Sequence, residues 1–296
     1  MIKFNKTEKN IAKLFVQGAE FNFEGVSYKV LKSGKPRPNK GECKTDVYAL
    51  AQTKTGEQKE FKISVKQNNA DFLENKIELG RAIEILGKDA QNIIKNSIYN
   101  IKHSFEKDCL IRFNKYGKTE AGSIKLGWRF ELVNVISGEK SGVLLLSDKQ
   151  KIGIFSGSNL SINKRNCYLE KELIENSGVA DFILITDGEE LSLQDCINHL
   201  IPINDYAKAQ TIYFACKACN YRFFKKKCEG NRGLAVYVKW TIENKMLQGN
   251  IIYEEPLLHK AYEIRDNLVR LLINMDADSD IKKLKLVLSE SVNTDI

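Results

Sequence analysis

The sequence predicts an α/β (α+β) fold in which a mixed central sheet is flanked by helices and followed by a strand-rich region. Three observations carry that expectation. A helical apolar period opens the chain, a period-two alternation replaces it after residue 20, and glycine-punctuated alternation returns from residue 109. Hydrophobic residues make up 43% of the chain and charged residues 28%, a balance that supports a buried core under a solvated surface.

Taken in order, residues 5–20 read as an amphipathic helix with Ile11, Leu14, Phe15 and Ala19 on one face. Residues 21–31 alternate through Phe21, Phe23, Val26, Tyr28 and Val30, with Glu24-Gly25 as a tight turn. The stretch 33–41 holds Gly34, Pro36, Pro38 and Gly41, which exclude helix or central strand, so it reads as a loop. Strands at 47–53 and 59–67 follow, joined by a turn around Thr55-Gly56-Glu57. Helices are expected at 69–86, closed by Gly87, and at 90–103, which makes the early chain α-β-β-β-α.

Residues 109–162 read as strands with turns at Gly117, Gly122, Gly127, Gly138 and Gly142. Segments 169–176 and 193–199 look helical, whereas 210–224 and 233–252 look like strands. Pro256 opens a helix to Met275, and a last charged helix covers 280–289. No internal repeat or long low-complexity linker marks a border. A boundary near residue 105 divides a core, 1–105, from a mixed region, 106–296, that extends the sheet; the two also read as one continuous domain.

The formal net charge of +8 favours an anionic partner, nucleic acid first, although the same charge fits a merely lysine-rich composition. No apolar run approaches the length of a bilayer span, and residues 1–6 lack the pattern of a signal peptide, so a cytoplasmic protein without membrane partners is expected. Seven cysteines, an odd number, argue for free or metal-bound thiols over a disulfide framework. Neither a P-loop, nor a dinucleotide fingerprint, nor a serine-centred hydrolase elbow is present, which leaves NTP-driven and dinucleotide chemistry without support.

The chemistry concentrates on two segments, Gly41-Glu42-Cys43-Lys44-Thr45-Asp46-Val47-Tyr48 and Phe61-Lys62-Ile63-Ser64-Val65-Lys66-Gln67. Hydrolysis of a phosphodiester calls for a divalent cation on carboxylate oxygens and a cationic group that orients water or meets developing charge. A hairpin can bring such groups together, because directly opposed residues share a face. Placing Val47, Ala49 and Ala51 opposite Val65, Ile63 and Phe61 centres the turn on Gly56. In that register Asp46 faces Lys66 and Ser64 faces Tyr48. The competing acid-x-lysine pair, Glu60 and Lys62, would then set Glu60 opposite Gln52, roughly 20 Å from Asp46 and too far to share a metal.

These residues resemble the PD-(D/E)xK nuclease superfamily, and within it the type II restriction endonucleases, several of which have a Lys-Thr-Asp entry to the strand like Lys44-Thr45-Asp46. The resemblance covers residues 5–90. It implies a restriction-endonuclease-like core making Mg²⁺-dependent double-strand cuts at a short DNA sequence, as a homodimer. A cognate DNA methyltransferase in the same system goes with that implication. Asp46 matches the family's metal-binding aspartate and Lys66 its catalytic lysine, with Ser64 and Gln67 supporting. Ser64 stands where a second acid is usual, and a hydroxyl is a poor replacement for a carboxylate ligand. Glu78 is the first candidate for the missing acid, Glu74 the reserve, and Glu42 the alternative ahead of the strand. A junction resolvase, a repair nuclease, or a non-catalytic DNA-binding protein with a zinc knuckle are the rival readings.

Outside the hairpin, Cys216-Lys217-Ala218-Cys219 with Cys228 has the beginnings of a zinc site, but a fourth ligand is missing unless Cys196 or His199 supplies it. Reduced, half-buried thiols are the preferred reading there. Basic residues that could meet phosphates or base edges are Lys35 and Arg37 in the loop, Lys164, Arg165 and Asn166, and Arg222, Lys225, Lys226, Lys227 and Arg232. Both later runs also read as solvated surface. The histidines His103, His199 and His259 have no metal-binding spacing, and Asp187-Gly188-Glu189-Glu190 reads as a turn leading into a helix.

Overall fold

The computed structural model describes residues 2–67, 72–75, 77–186 and 191–295. Its first element, α1 (Ile2–Leu14), buries Ile11 on the face that the sequence period marks, and Phe15 just beyond its end is buried too. The helix stops short of residue 20 because Gly18 turns the chain at φ +88°, a conformation that costs a residue with a Cβ. Ala19 thereby aligns with the sheet, accepting a hydrogen bond from the Val30 N–H at 2.9 Å. Strands β1 (Glu20–Phe23) and β2 (Val26–Gly34) form a hairpin whose two turn residues, Glu24 and Gly25, both have positive φ, the twist-matched two-residue turn.

Strands β3 (Val47–Thr53) and β4 (Gln58–Lys66) pair antiparallel, but with Val47 opposite Ile63 and Tyr48 opposite Lys62. The expected register is therefore displaced by two residues on one strand. The turn explains it. Thr53 N–H donates to Glu57 O at 2.8 Å, leaving a loop of Lys54, Thr55 and Gly56, with Gly56 at its third position and φ +89°. That is where a three-residue hairpin loop needs its left-handed residue, whereas the sequence reading had centred the loop on Gly56. The Thr53 hydroxyl fixes the turn further, bonding Thr55 Oγ1 at 2.8 Å and accepting from Glu57 N at 3.2 Å.

After β4 the chain runs through β5 (Phe72–Glu74), α2 (Leu79–Leu86), α3 (Ala90–Tyr99), α4 (Lys102–Glu106), β6 (Ile111–Arg112), β7 (Ser123–Val133) and β8 (Ser141–Val143). The helix expected at 69–86 is thus only α2; residues 72–74 pair with β7, and residues 68–71 lie outside the described residues. Next come α5 (Asp148–Ser156), α6 (Ile162–Arg165), β9 (Cys167–Leu169) and β10 (Glu172–Ile174). Two sequence expectations fail in this stretch. The strand-rich reading of 109–162 misses α5, which a Ser147/Gln150 capping box starts and Gly157 ends. The expected helix at 169–176 is the β9–β10 hairpin, with Glu170 at φ +56° in its turn.

The closing elements are β11 (Phe182–Ile185), α7 (Leu193–Asn198), β12 (Ile201–Pro202), α8 (Ile203–Ala209), β13 (Tyr213–Arg222), β14 (Lys227–Cys228), β15 (Val236–Glu243), β16 (Met246–Ile252), α9 (Ala261–Asn274) and α10 (Ile281–Leu286). The turn expected at 187–190 lies outside the described residues. The helix expected from Pro256 begins later, because Leu257 adopts φ +65°. No helix among the described residues is long and apolar enough to cross a membrane.

The chain divides into two units, each discontinuous in sequence. Unit 1 comprises residues 1–71 and 146–210, and unit 2 comprises 72–145 and 211–296. A single boundary near residue 105 does not describe this, since that position lies in α4 within unit 2. Unit 2 is built on an antiparallel sheet in the order β14-β13-β7-β15-β16. The long central strand β7 is buried along nearly its whole length.

Unit 1 carries a mixed sheet in the order β1-β2-β3-β4-β11-β12, in which β11 runs parallel to β4 and every other neighbour is antiparallel. Odd-numbered residues of β3 and β4 (Val47, Ala49, Ala51, Phe61, Ile63 and Val65) join Ile11 and Phe15 and the α7 residues Cys196 and Ile197 in one core. Phe61 is its centre: its ring meets those of Phe21, Phe23, Tyr28 and Phe182 at centroid distances of 5.1 to 6.1 Å. A fully buried phenylalanine with edge-on and stacked neighbours has little room to relax when removed. Phe61→Ala should therefore lower unfolding free energy by about 3–5 kcal/mol, read by urea denaturation. A loss within ~1 kcal/mol would mean that the aromatic cluster does not hold unit 1 together.

Candidate active site

The even-numbered residues of the β3–β4 pair and of its continuation to Asp46 lie on the face opposite Phe61, and the chemistry collects there. The observed register puts Asp46 opposite Ser64, continuing the pairing of Val47 with Ile63, and Asp46 N–H donates to Ile63 O at 2.8 Å. Lys66, expected directly opposite Asp46, is instead a diagonal neighbour, about 7–8 Å away along the backbone. Because the displacement is an even number of residues, Lys66 stays on the same face as Asp46. Its ammonium acts on the Asp46 carboxylate electrostatically.

Asp46 is held tightly. Its Oδ2 accepts the Val65 N–H at 2.9 Å and lies 3.5 Å from the Ser64 hydroxyl. Its Oδ1 lies 3.8 Å from Lys35 Nζ, and the side chain is 16% exposed. Burial pushes its carboxyl above the usual aspartate value; Lys66, the Val65 N–H and Lys35 pull in the opposite direction, while Glu8 adds to the rise.

Glu8, on α1, is the acid that sequence reasoning missed. Lys35 Nζ stands 2.5 Å from Glu8 Oε2 and also reaches Asp46, so one ammonium bridges the two carboxylates. Burial lowers the Lys35 pKa, but Glu8 and Asp46, with Cys43, more than offset it and the net shift is upward. Gln67 ties the end of β4 to α1 by donating to Thr7 Oγ1 at 3.1 Å, one residue from Glu8. The only available signal for Glu8 was its place on the polar side of an amphipathic helix, which every solvated glutamate shares.

The other acid candidates are placed differently. Glu78 belongs to unit 2, where it pairs with Lys260 at 3.2 Å, and Glu74 pairs with Arg81. Glu42 is exposed and lines the same cleft as Asp46. Glu60, expected opposite Gln52, faces Leu50 and accepts a 2.6 Å hydrogen bond from Tyr48 Oη. Four residues of strand still separate its position from Asp46, about 13 Å, which keeps it out of reach of a shared metal.

The cleft has a volume of about 490 Å³ and is lined by Glu8, Lys35, Arg37, Glu42, Thr45 and Asp46, among others. Residues 157–178 of the same unit pack against the loop that lines it. Arg37 and Tyr168 exchange backbone hydrogen bonds of 2.9 and 2.8 Å, and Lys44 N–H donates to Gly178 O at 3.0 Å. A Cβ on Gly41 would lie 3.3 Å from the Lys164 stem, which places Lys164 at the cleft margin. Asn166 is spent internally, its Oδ1 accepting the Asn176 N–H at 3.0 Å, and Arg165 has a buried Nε without a hydrogen-bond partner among the described residues. Cys43 also lines the cleft; the Cys167 thiol hydrogen bonds to it, lowering the Cys43 pKa and raising that of Cys167.

The second basic run sits in unit 2 among acids. Arg222 pairs with Glu120 and Glu229 at 3.2 and 3.3 Å, Lys225 with Glu120 at 2.8 Å, and Lys226 with Asp278 at 3.5 Å. Lys227 is exposed, and Arg232 has a buried Nε with no hydrogen-bond partner among the described residues. The three cysteines do not converge as a zinc knuckle would require. Cys216 and Cys219 stand three apart on β13 and so point to opposite faces. Cys219 contacts Cys228 instead, and that hydrogen bond pulls the Cys228 thiol down to about 7. Among the described residues no group of three or more His, Cys, Asp and Glu side chains is arranged to hold a metal ion.

A magnesium site asks for less than three such ligands, since the ion keeps several waters and is commonly held by one or two carboxylates. Glu8 and Asp46 fit that demand. Two observations accord with it: a cationic group already stands between their oxygens, and the Thr45 hydroxyl, fully buried at the cleft lining, has no hydrogen-bond partner among the described residues. No protein-family model, curated protein or solved structure matches the chain.

The raised Asp46 pKa has a direction that can be checked. As pH climbs from the ordinary aspartate value through the raised one, the folded chain still holds a proton that the unfolded chain has released, so stability falls. Above that window Asp46→Asn removes the cost of the buried charge while keeping an oxygen for the Val65 N–H. Its thermal midpoint at pH 7 should exceed the parent's by about 2–4 °C, the response to ~1 kcal/mol in a domain of this size. Calorimetry at acid pH, where Asp46 is protonated in both states, should show the difference vanish. A lower midpoint for the variant at pH 7 would make Asp46 a structural anchor.

Proposed function

We propose that the chain is a Mg²⁺-dependent, site-specific deoxyribonuclease of the type II restriction kind, with a PD-(D/E)xK-like catalytic core in unit 1. The observation that carries this reading is the convergence of Asp46, Glu8 and Lys66 at one end of the β3–β4 pair, beside a cleft that Lys35, Arg37 and Lys164 border. The order of elements supports it as well: one helix, an antiparallel run of strands, and β11 added parallel to β4. Double-stranded DNA is the substrate, cut by a homodimer in the cytoplasm, with a cognate methyltransferase protecting the host's own sites.

Glu8 and Asp46 would hold the metal, which supplies charge neutralisation at the scissile phosphate and a more acidic water. The chain's own groups do the rest. Lys66 places a fixed positive charge where the attacking oxygen and the phosphate build up negative charge. The Ser64 hydroxyl and the Val65 N–H hold the Asp46 carboxylate in one orientation, and Gln67 positions α1, and with it Glu8, through Thr7. Arg37 and Lys164 would neutralise backbone phosphates, a sequence-independent contribution that weakens as salt rises.

Incubation with plasmid and Mg²⁺ tests the reading. Discrete fragments are expected; cutting confined to branched substrates would make the protein a junction resolvase. Asp46→Ala, Glu8→Ala and Lys66→Ala should each lower the cleavage rate by about 10²-fold or more while leaving DNA binding in place. Salt-sensitive DNA binding with no cleavage under any divalent metal would leave a non-catalytic DNA-binding protein.

A further inference from the structure

We infer that Lys35 is a tethered counter-cation that keeps the metal site closed until a DNA phosphate draws it away. The inference rests on the proposed function. It starts from one geometric fact: the Lys35 ammonium bridges Glu8 Oε2 at 2.5 Å and Asp46 Oδ1 at 3.8 Å. A divalent ion held by those same oxygens would have to stand where the ammonium stands, and two positive centres cannot share that space without strong repulsion. The carboxylate pair is therefore already partly neutralised by the protein itself. An incoming metal competes with an internal ligand whose effective concentration is set by the length of one side chain.

The position of Lys35 suits a movable plug. It follows the last residue of β2 and precedes Pro36, at the start of the loop that forms the cleft lining. Its side chain is 50% exposed, so the ammonium can leave the carboxylates by rotating its stem, without backbone movement. Arg37 lines the same cleft and Lys164 stands at its margin, so a phosphate bound there would meet Lys35 next. Transfer of the ammonium from carboxylates to phosphate would vacate the metal site only when DNA is present. Metal and DNA would then bind with positive coupling, each tightening the other by the same factor.

Mn²⁺ serves as the probe, its binding followed by electron paramagnetic resonance in the absence of DNA. Lys35→Met should bind Mn²⁺ about tenfold or more tightly than the parent, Lys35→Arg should match the parent, and Asp46→Asn should show little binding. In EDTA, Lys35→Met should bind duplex DNA more weakly and lower the slope of log affinity against log salt by about one. Lys35→Gln provides the same comparison if circular dichroism shows the Met variant unfolded. Equal Mn²⁺ affinity for parent and Lys35→Met, or an unchanged salt slope, would overturn the role of Lys35. If plasmid cutting persists in that case, the nuclease reading stands without the plug; no Mn²⁺ binding by any variant would remove the metal site and both readings together.

Discussion

The turn between β3 and β4 decides where every chemical group of unit 1 lies. Thr53 and Glu57 close a loop of three residues, and Gly56 takes the left-handed place at its end. Register follows from that closure, because each later pair along the two strands is counted from it. An odd slip of β4 against β3 would have turned Ser64 and Lys66 into the aromatic core, away from Asp46, and Phe61 and Ile63 out to solvent. The observed pairing differs from a Gly56-centred one by an even step, so the faces are preserved while the partners change. Asp46 gains Ser64 and the Val65 N–H as immediate neighbours, and Lys66 becomes the diagonal one.

That arrangement separates stability from chemistry across a single layer. On one face of the sheet, Phe61 and its aromatic neighbours bury large apolar surfaces and make few demands on charge. On the other, Asp46 is taken out of water and its carboxyl resists ionisation. Carboxylates placed close together repel as well, so Glu8 worsens the position of Asp46. Burial is the largest cause of the net upward shift of Asp46, and Lys66, the Val65 N–H and Lys35 offset it only in part.

Much of this was legible in the sequence where the signal is local. Alternation and a helical period located α1, the β1–β2 hairpin and the β3–β4 pair, and Asp46, Ser64 and Lys66 fall on one face as parity required. What the sequence did not carry was contact between distant segments. Glu8 of α1 and Asp46 are joined through Lys35, with Lys35 and Asp46 at the two ends of the β2–β3 loop, and nothing in the local pattern around Glu8 separates it from Glu20 or Glu24. Glu78 follows the strand closely in sequence, yet it belongs to unit 2 and is paired with Lys260. The β9–β10 hairpin was read as helix because its apolar residues are too few to distinguish the two periods, and only the left-handed Glu170 turn settles it.

The discontinuity of unit 1 bears on how recognition and chemistry can be combined. A division at residue 105 would assign Lys164 to a separate DNA-reading region, whereas Lys164 stands beside Gly41 at the cleft that holds Asp46. Two backbone connections, Arg37 with Tyr168 and Lys44 with Gly178, fasten the loop after β2 to the 157–178 segment. Gly178 permits the close approach: a Cβ there would meet Lys164 O at 2.4 Å and Cys167 Sγ at 2.7 Å. The loop that carries Lys35 and Arg37 is thus positioned by the segment that carries Lys164. A change in the packing around Gly178 therefore reaches Lys35 and Asp46 through the loop that joins β2 to β3.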